Sequence, residues 1–200
     1  MVSATINQTI CEYCFGKNNI TFHGCKKSRY KATLNQYYDK SMSRGFINKA
    51  PDIFNRTQRW SGSEYTITFK RCREKYGVED LTFGTTAGCD FMKGCNIDVI
   101  GTPHQPDWIY KLFAFSMGLD FNRYARSKFQ QTEHNGVRFW FPTFEDKTLR
   151  DIQFYLIESE LEQAVGRARL LRFDCTVNLF SNFPLLQANY LISEYDDLGR

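Results

Sequence analysis

The chain has no run approaching the roughly eighteen consecutive apolar residues that a membrane-spanning helix needs. Its first residues, Met1-Val2-Ser3-Ala4-Thr5, carry no basic flank and no apolar leader, which predicts that it is not exported. Without export, the odd count of seven cysteines reads as reduced thiols in a cytosol rather than a disulfide framework. No internal repeat or low-complexity tract is visible. A phosphate-binding loop of the form G-x-x-x-x-G-K-[ST] is also missing. Gly24-Cys25-Lys26-Lys27-Ser28 lacks the glycine before the lysine and the spacing. No Asp-Glu pair closes a strand to hold magnesium. Triphosphate chemistry needs both the cradle and the metal ligand, so this chain by itself is predicted not to hydrolyse ATP.

What is present suits one domain. Two hundred residues can build a real core, and 42% apolar with 24% charged residues marks neither a disordered nor a membrane-embedded chain. The charge, 26 basic minus 22 acidic residues or +4, permits an anionic partner without demanding one. Aromatics reach 16%, which supplies packing area and stacking faces. Strand signals fall at Val2–Thr5, Asn18–Phe22, Tyr65–Phe69, Leu81–Phe83, Ile97–Ile100, Val137–Phe144 and Cys175–Phe180. Helical signals fall at Cys72–Tyr76, from Pro106 to Met117 with Gly118 as its stop, and from Thr148 to about Leu171. The basic stretch Lys26–Met42 allows a helix, and Asn48–Gly62, with Pro51, Asp52, Asn55 and Gly62, reads as a loop or surface insertion. Strands alternating with helices predict an α/β layer fold with a largely parallel sheet.

The sharpest motif is Gln163-Ala164-Val165-Gly166-Arg167-Ala168-Arg169, between an acidic amphipathic stretch and a strand. Gly166 would let a backbone come close, and Arg167 would present a planar fork to phosphate oxygens. The plainer reading is a surface helix whose basic end follows its acidic beginning, as the helix dipole favours. Three further segments stand in a meaningful order. They are Val2-Ser3-Ala4-Thr5-Ile6, the alternating Tyr65–Phe69, and Phe83-Gly84-Thr85-Thr86-Ala87-Gly88 running on to Lys93-Gly94-Cys95-Asn96-Ile97-Asp98-Val99-Ile100. Together they resemble motifs III, IV, V and VI of superfamily-2 DEAD/DEAH-type helicases, in texture nearest to helicase-like replication proteins of phages and integrated bacterial elements.

The resemblance implies a RecA-like three-layer domain over residues 18–200 with an inserted hairpin at about 118–147. Residues 1–17 would be the remnant of a first RecA-like domain, whose bulk should lie upstream. ATP and Mg2+ would sit between the two domains of the complete protein, with the Mg2+ ligands outside this chain. Arg167 and Arg169 would be the catalytic arginines, and Gln163, Gly166, Gly94 and Asn96 would face the nucleotide. Thr85, Thr86, Gly88 and Lys93 would meet the nucleic-acid backbone, DNA ahead of RNA, and Ser3, Ala4 and Thr5 would couple the two events. The whole would be a cytoplasmic replication motor with no membrane partner.

Two departures from the pattern stand out. The usual second arginine, three residues after the first, is Leu170, leaving Arg169 and Arg172. On a regular helix Arg169 points about 200° away from Arg167. The motif V aspartate position holds Asn96.

Other readings remain. The chain could be a non-enzymatic nucleic-acid-binding or assembly module. Cys11-x-x-Cys14 with His23 and Cys25, joined by Cys89 or Cys95, has ligand types that suit a structural zinc. His104 reads as a loop histidine at a strand end. The clusters Lys26-Lys27-Arg29-Lys31 and Lys70-Arg71-Arg73-Lys75 are solvated faces, or, with Tyr30, Tyr37 and Tyr38 interleaved, a nucleic-acid surface.

Overall fold

The structure, a computed structural model, describes residues 8–23, 28–77, 81–85, 88 and 90–192. In chain order the elements are α1 (Gln8–Phe15), β1 (Thr33–Tyr37), α2 (Arg44–Lys49), α3 (Pro51–Ser61), β2 (Tyr65–Ile67), α4 (Lys70–Tyr76) and β3 (Ile97–Ile100). They continue with α5 (Asp107–Ser116), β4 (Lys128–His134), β5 (Val137–Thr143), α6 (Lys147–Val165), β6 (Thr176–Phe180) and β7 (Asn189–Leu191). Five strands form a sheet in the order β2-β3-β6-β1-β7, and each of its ladders is parallel. Parallel neighbours require crossovers, and the helices supply most of them.

Side chains alternate across a strand, so the sheet has two different faces. On one, Leu34, Ile67, Ile97, Val99, Val177 and Leu179 meet Ile157, Leu161 and Ala164 of α6 and Phe139 and Phe141 of the hairpin β4–β5. On the other, Tyr37, Ile100 and Phe180 meet Ile47 of α2, Phe54 of α3 and Cys72 of α4. Helices on both faces make the α/β three-layer arrangement expected of a RecA-like domain. The β4–β5 hairpin falls inside the interval where an insertion is expected, and Tyr110 and Ala114 of α5 build a third cluster with Phe144 and Leu149 beside it.

Several local expectations are corrected. Residues 20–22 form no strand; a short 3-10 turn, Lys17–Asn19, precedes them. The stretch read as a possible helix instead contains β1, which lies between β6 and β7. Its Gln36 is fully buried because residues 181–188 cross over it. The amide donates to the carbonyls of Ser181 (2.8 Å) and Phe183 (2.7 Å) and accepts from Leu185 N (3.0 Å). The presumed loop at 48–62 holds α3, with Pro51 at its first turn and Gly62 at φ 61° as its left-handed stop. The helix expected to reach Leu171 ends at Val165. Leu81–Phe83 contributes only a single bridge, Thr82 to Thr68. Val2–Thr5 lies outside the described residues.

Candidate functional site

Helix α6 is capped by Asp146, whose carboxylate accepts from Leu149 N (3.0 Å), and it carries the motif residues to the amino end of the sheet. Past Val165 the backbone tightens into a 3-10 turn, Gly166–Ala168, and Arg169 then adopts φ 58°. The irregularity has a cause. Leu170 must enter the core, where it is buried, and its carbonyl accepts from both Lys31 N and Ala32 N (3.0 Å each) at the entry to β1. The position of an expected second arginine is therefore a core position. Gly166 itself is in ordinary helical geometry, with open space where a Cβ would stand.

The loop before β3 comes to the same place. Met92 anchors it in the core, and Lys93 N donates to Asp90 O (3.1 Å). Gly94 N donates to Ala168 O (3.0 Å). Gly94 has φ 76°, the left-handed conformation that favours glycine, and a Cβ there would lie 3.1 Å from the Phe173 ring, which would have to give slightly. Asn96 Oδ1 accepts from Thr176 N (2.8 Å), which ties the amino ends of β3 and β6 together. Arg169 closes the junction: its Nε (3.1 Å) and Nη2 both donate to Asp90 Oδ1. The Arg169 guanidinium holds the exposed Asp90 carboxyl below the usual range, with Lys93 and Arg167 adding to the effect. Arg167 Nε donates to Gln163 O (3.2 Å), one turn back on α6.

The threonine loop is attached to α6 as well. Gly84 N donates to Glu160 Oε1 (2.6 Å), and Thr85 Oγ1 donates to Thr82 O (2.9 Å). Gly88 and Lys93 are exposed. The structure thus brings Lys93, Gly94, Asn96, Gln163, Gly166, Arg167 and Arg169 to the last turn of α6 and the amino edge of β3, whereas Thr85 lies apart, after Thr82, which bridges Thr68 beyond the carboxyl end of β2. Thr86, Ser3, Ala4 and Thr5 lie outside the described residues. Asp90 and Glu160 hold this assembly together and were missed; an isolated acid in a glycine-rich loop, or one of several on an acidic helix, carries no sequence signal.

The opposite end of the sheet, where ligands of open α/β sheets commonly bind, is occupied by the chain's own loops. Thr102 Oγ1 donates to Ser41 O (2.5 Å) and shares a hydrogen bond with Ser181 Oγ (2.7 Å). His104 follows β3 there, as a loop histidine. Its Nε2 lies 2.7 Å from Gln153 Nε2 and 3.1 Å from Pro142 O, and its Nδ1 lies 2.8 Å from Gln105 O.

Among the described residues no group of three His, Cys, Asp or Glu side chains converges as a metal site, and Cys25 and Cys89 lie outside them. Of the first aromatic-basic cluster, Tyr37 is buried, stacked on Phe180 at 4.8 Å, and Tyr30 packs against the core, whereas Arg29, Lys31 and Tyr38 are exposed and Lys26 and Lys27 lie outside the described residues. Lys70, Arg71, Arg73 and Lys75 form an exposed face of α4.

No family model, curated protein or solved structure matches the chain.

Proposed function

We propose that this chain is the C-terminal half of an ATP-dependent nucleic-acid helicase or translocase, working against a first RecA-like domain in mobile-element DNA replication. One observation carries the reading. Two segments about 70 residues apart, both singled out for their motif character, meet through Gly94 N and Ala168 O and through Asp90 and Arg169. Lys93, Arg167 and Arg169 gather there around a single carboxylate, a cation set suited to a triphosphate. Arg167 is the finger in this reading: its fixed charge stabilises the negative charge that develops on the γ-phosphoryl oxygens as water displaces ADP. Arg169 holds the motif V loop in register through Asp90. In this reading the Mg2+ ligands would come from the partner domain. Thr85 and Lys93 would each meet the nucleic-acid backbone at a different point, contacts that carry little sequence information.

The test is ATP turnover in the two-domain protein. Arg167→Lys keeps the charge but loses the fork, and kcat should fall at least about 100-fold, within the range arginine fingers supply. Normal turnover in Arg167→Lys with a dead Arg169→Ala would move the finger to Arg169. Normal turnover in both, and in Arg172→Ala, would sink the reading. The isolated chain is expected to show no hydrolysis above background.

A further inference from the structure

We propose that the inserted hairpin and the segment leading into it form a stacking platform for single-stranded nucleic acid, separate from the threonine loop. The segment reads Phe121-Asn122-Arg123-Tyr124-Ala125-Arg126-Ser127-Lys128-Phe129, and no acid interrupts the chain between Asp120 and Glu133. Phe121, Tyr124 and Phe129 are interleaved in it with Arg123, Arg126 and Lys128, and the three cations are all exposed, Lys128 within 3.7 Å of Glu145.

The rings stand in solvent. Tyr124 is 91% exposed, Phe129 68%, Trp108 61% and Trp140 56%. Phe129 and Trp140 lie on the outward face of the hairpin, with ring centroids 5.5 Å apart and planes within 21°. The inward face of the same two strands is committed to the core through Phe139 and Phe141. An outward pair of large rings is therefore not needed for packing.

The platform is rigidly held. Ser127 N and Oγ donate to the two carboxylate oxygens of Asp107 (2.9 and 2.7 Å), at the start of α5 and next to Trp108. Asn122 N donates to Asp146 (2.8 Å), and Lys111 Nζ donates to Arg123 O (2.8 Å). A surface ordered before binding loses little entropy on binding.

The chemistry selects the occupant. Exposed rings offer π-faces to unpaired bases, and cations between them match a phosphate backbone. A duplex hides its base faces. Trp108 also borders an exposed apolar strip of α5, Leu112 and Phe115, which a protein partner would cover, but within the segment a cation stands between every two rings, and that favours a phosphate backbone. Phe129 lies opposite Pro142, whose neighbourhood includes His104 beyond the carboxyl end of β3. The platform is thus at the other end of the sheet from Arg167. It deepens the nucleic-acid part of the function proposed above and rests on that part alone.

The experiment titrates the full chain with oligo-dT and oligo-rU of about 15 nucleotides, and with a blunt duplex, following anisotropy and tryptophan fluorescence. Trp60 is packed against Tyr37, so quenching would come from Trp108 and Trp140. Single strands are expected to quench, and Trp140→Phe should lose most of the quench while keeping affinity. Phe129→Ala with Trp140→Ala should weaken single-strand binding about 5- to 100-fold with an unchanged melting temperature. Replacing Arg123, Arg126 and Lys128 by Gln should lower the log–log salt slope by about 2. Thr85→Val with Lys93→Gln tests the threonine loop separately. Binding lost there and kept in the ring variant would overturn the platform and leave the loop reading intact; the reverse would keep the platform and remove the loop. Equal duplex and single-strand binding, or light scattering that shows dimers dissolved by the ring variant, would also overturn the platform.

Discussion

Arg169 stands in a backbone conformation that costs a non-glycine residue about 1–2 kcal/mol, and Leu170 is the reason. Placing Leu170 in the core forces the chain to reverse immediately before it, and the bond to Asp90 then fixes the reversed residue. Asp98 presents a different residue-scale problem. It is buried, and its carboxylate accepts from Ser61, Ser63 (2.7 Å) and Asn178 (3.2 Å). Burial pushes its carboxyl above the usual range, more than these three donors pull it down. A folded pKa above the unfolded value means that the contribution of Asp98 to stability is complete below about pH 4. That contribution is lost as pH rises through the folded value. Asp98→Asn keeps the shape without the charge. Its melting temperature should therefore exceed that of the parent at pH 8 and lose that advantage by about pH 4. A gap that does not change with pH would show that the buried charge is not what costs stability.

At the scale of elements, α6 and the hairpin set the site and the platform. The Asp146 carboxylate serves both, through Leu149 N on α6 and Asn122 N ahead of the hairpin. Burial raises its pKa, but these backbone donors and Thr148 N, with Arg150 nearby, bring it below the ordinary value. Asp146→Ala should cost about 1–2 kcal/mol at neutral pH. The difference should shrink as pH falls through the native pKa, since a depressed carboxyl stabilises only while ionised. Equal urea midpoints for variant and parent at pH 7 would refute the cap. These elements differ in how far the sequence disclosed them. The helix signal of α6 and the alternation of β5 were legible because both have one wet side. The Asn135-Gly136 turn, at φ 50° and 77°, is a strong hairpin signal that marks β4 as well as β5. Helix α3 is hard to see in the sequence because Pro51, Asp52 and Gly62 are also turn-forming residues, yet here they occupy helix start and stop positions. Strand β1 was missed because Asn35 and Gln36 are polar; only a crossover from residues 181–188, distant in the chain, makes Gln36 a core residue.

In the whole molecule, one buried amide links the layers. Gln153 of α6 donates to Pro142 O (2.9 Å) and to His104, and accepts from Thr143 Oγ1 (2.6 Å). It thereby joins the loop after β3, the hairpin and α6. Gln153→Ala would strand several polar groups in the interior, each worth about 1–3 kcal/mol. Global stability should fall by about 2–4 kcal/mol, measured by chemical denaturation, and hydrogen exchange should speed up first in β5. A loss below about 1 kcal/mol would mean that water replaces the amide and that the link is not structural. The α/β class was readable at this scale from alternating strands and helices. The meeting of the two motif loops was readable only as an implication of a resemblance, because it depends on Asp90, Gly94 and Ala168 across the sheet.

The strand order also governs how the chain is made. β1 pairs only with β6 and β7, and Asn35 finds Asn178 across 143 residues of sequence. At about 5–20 residues per second, translation leaves β1 without either neighbour for on the order of ten seconds or more. During that interval Leu34 and Tyr37 have no sheet to enter, and the β2–β3 pair must wait beside an open edge. β1 is secured only by strands made well after it, so folding of this sheet is limited by the arrival of β6, and a nascent chain stalled before residue 176 is a natural client for a chaperone that shields apolar strands.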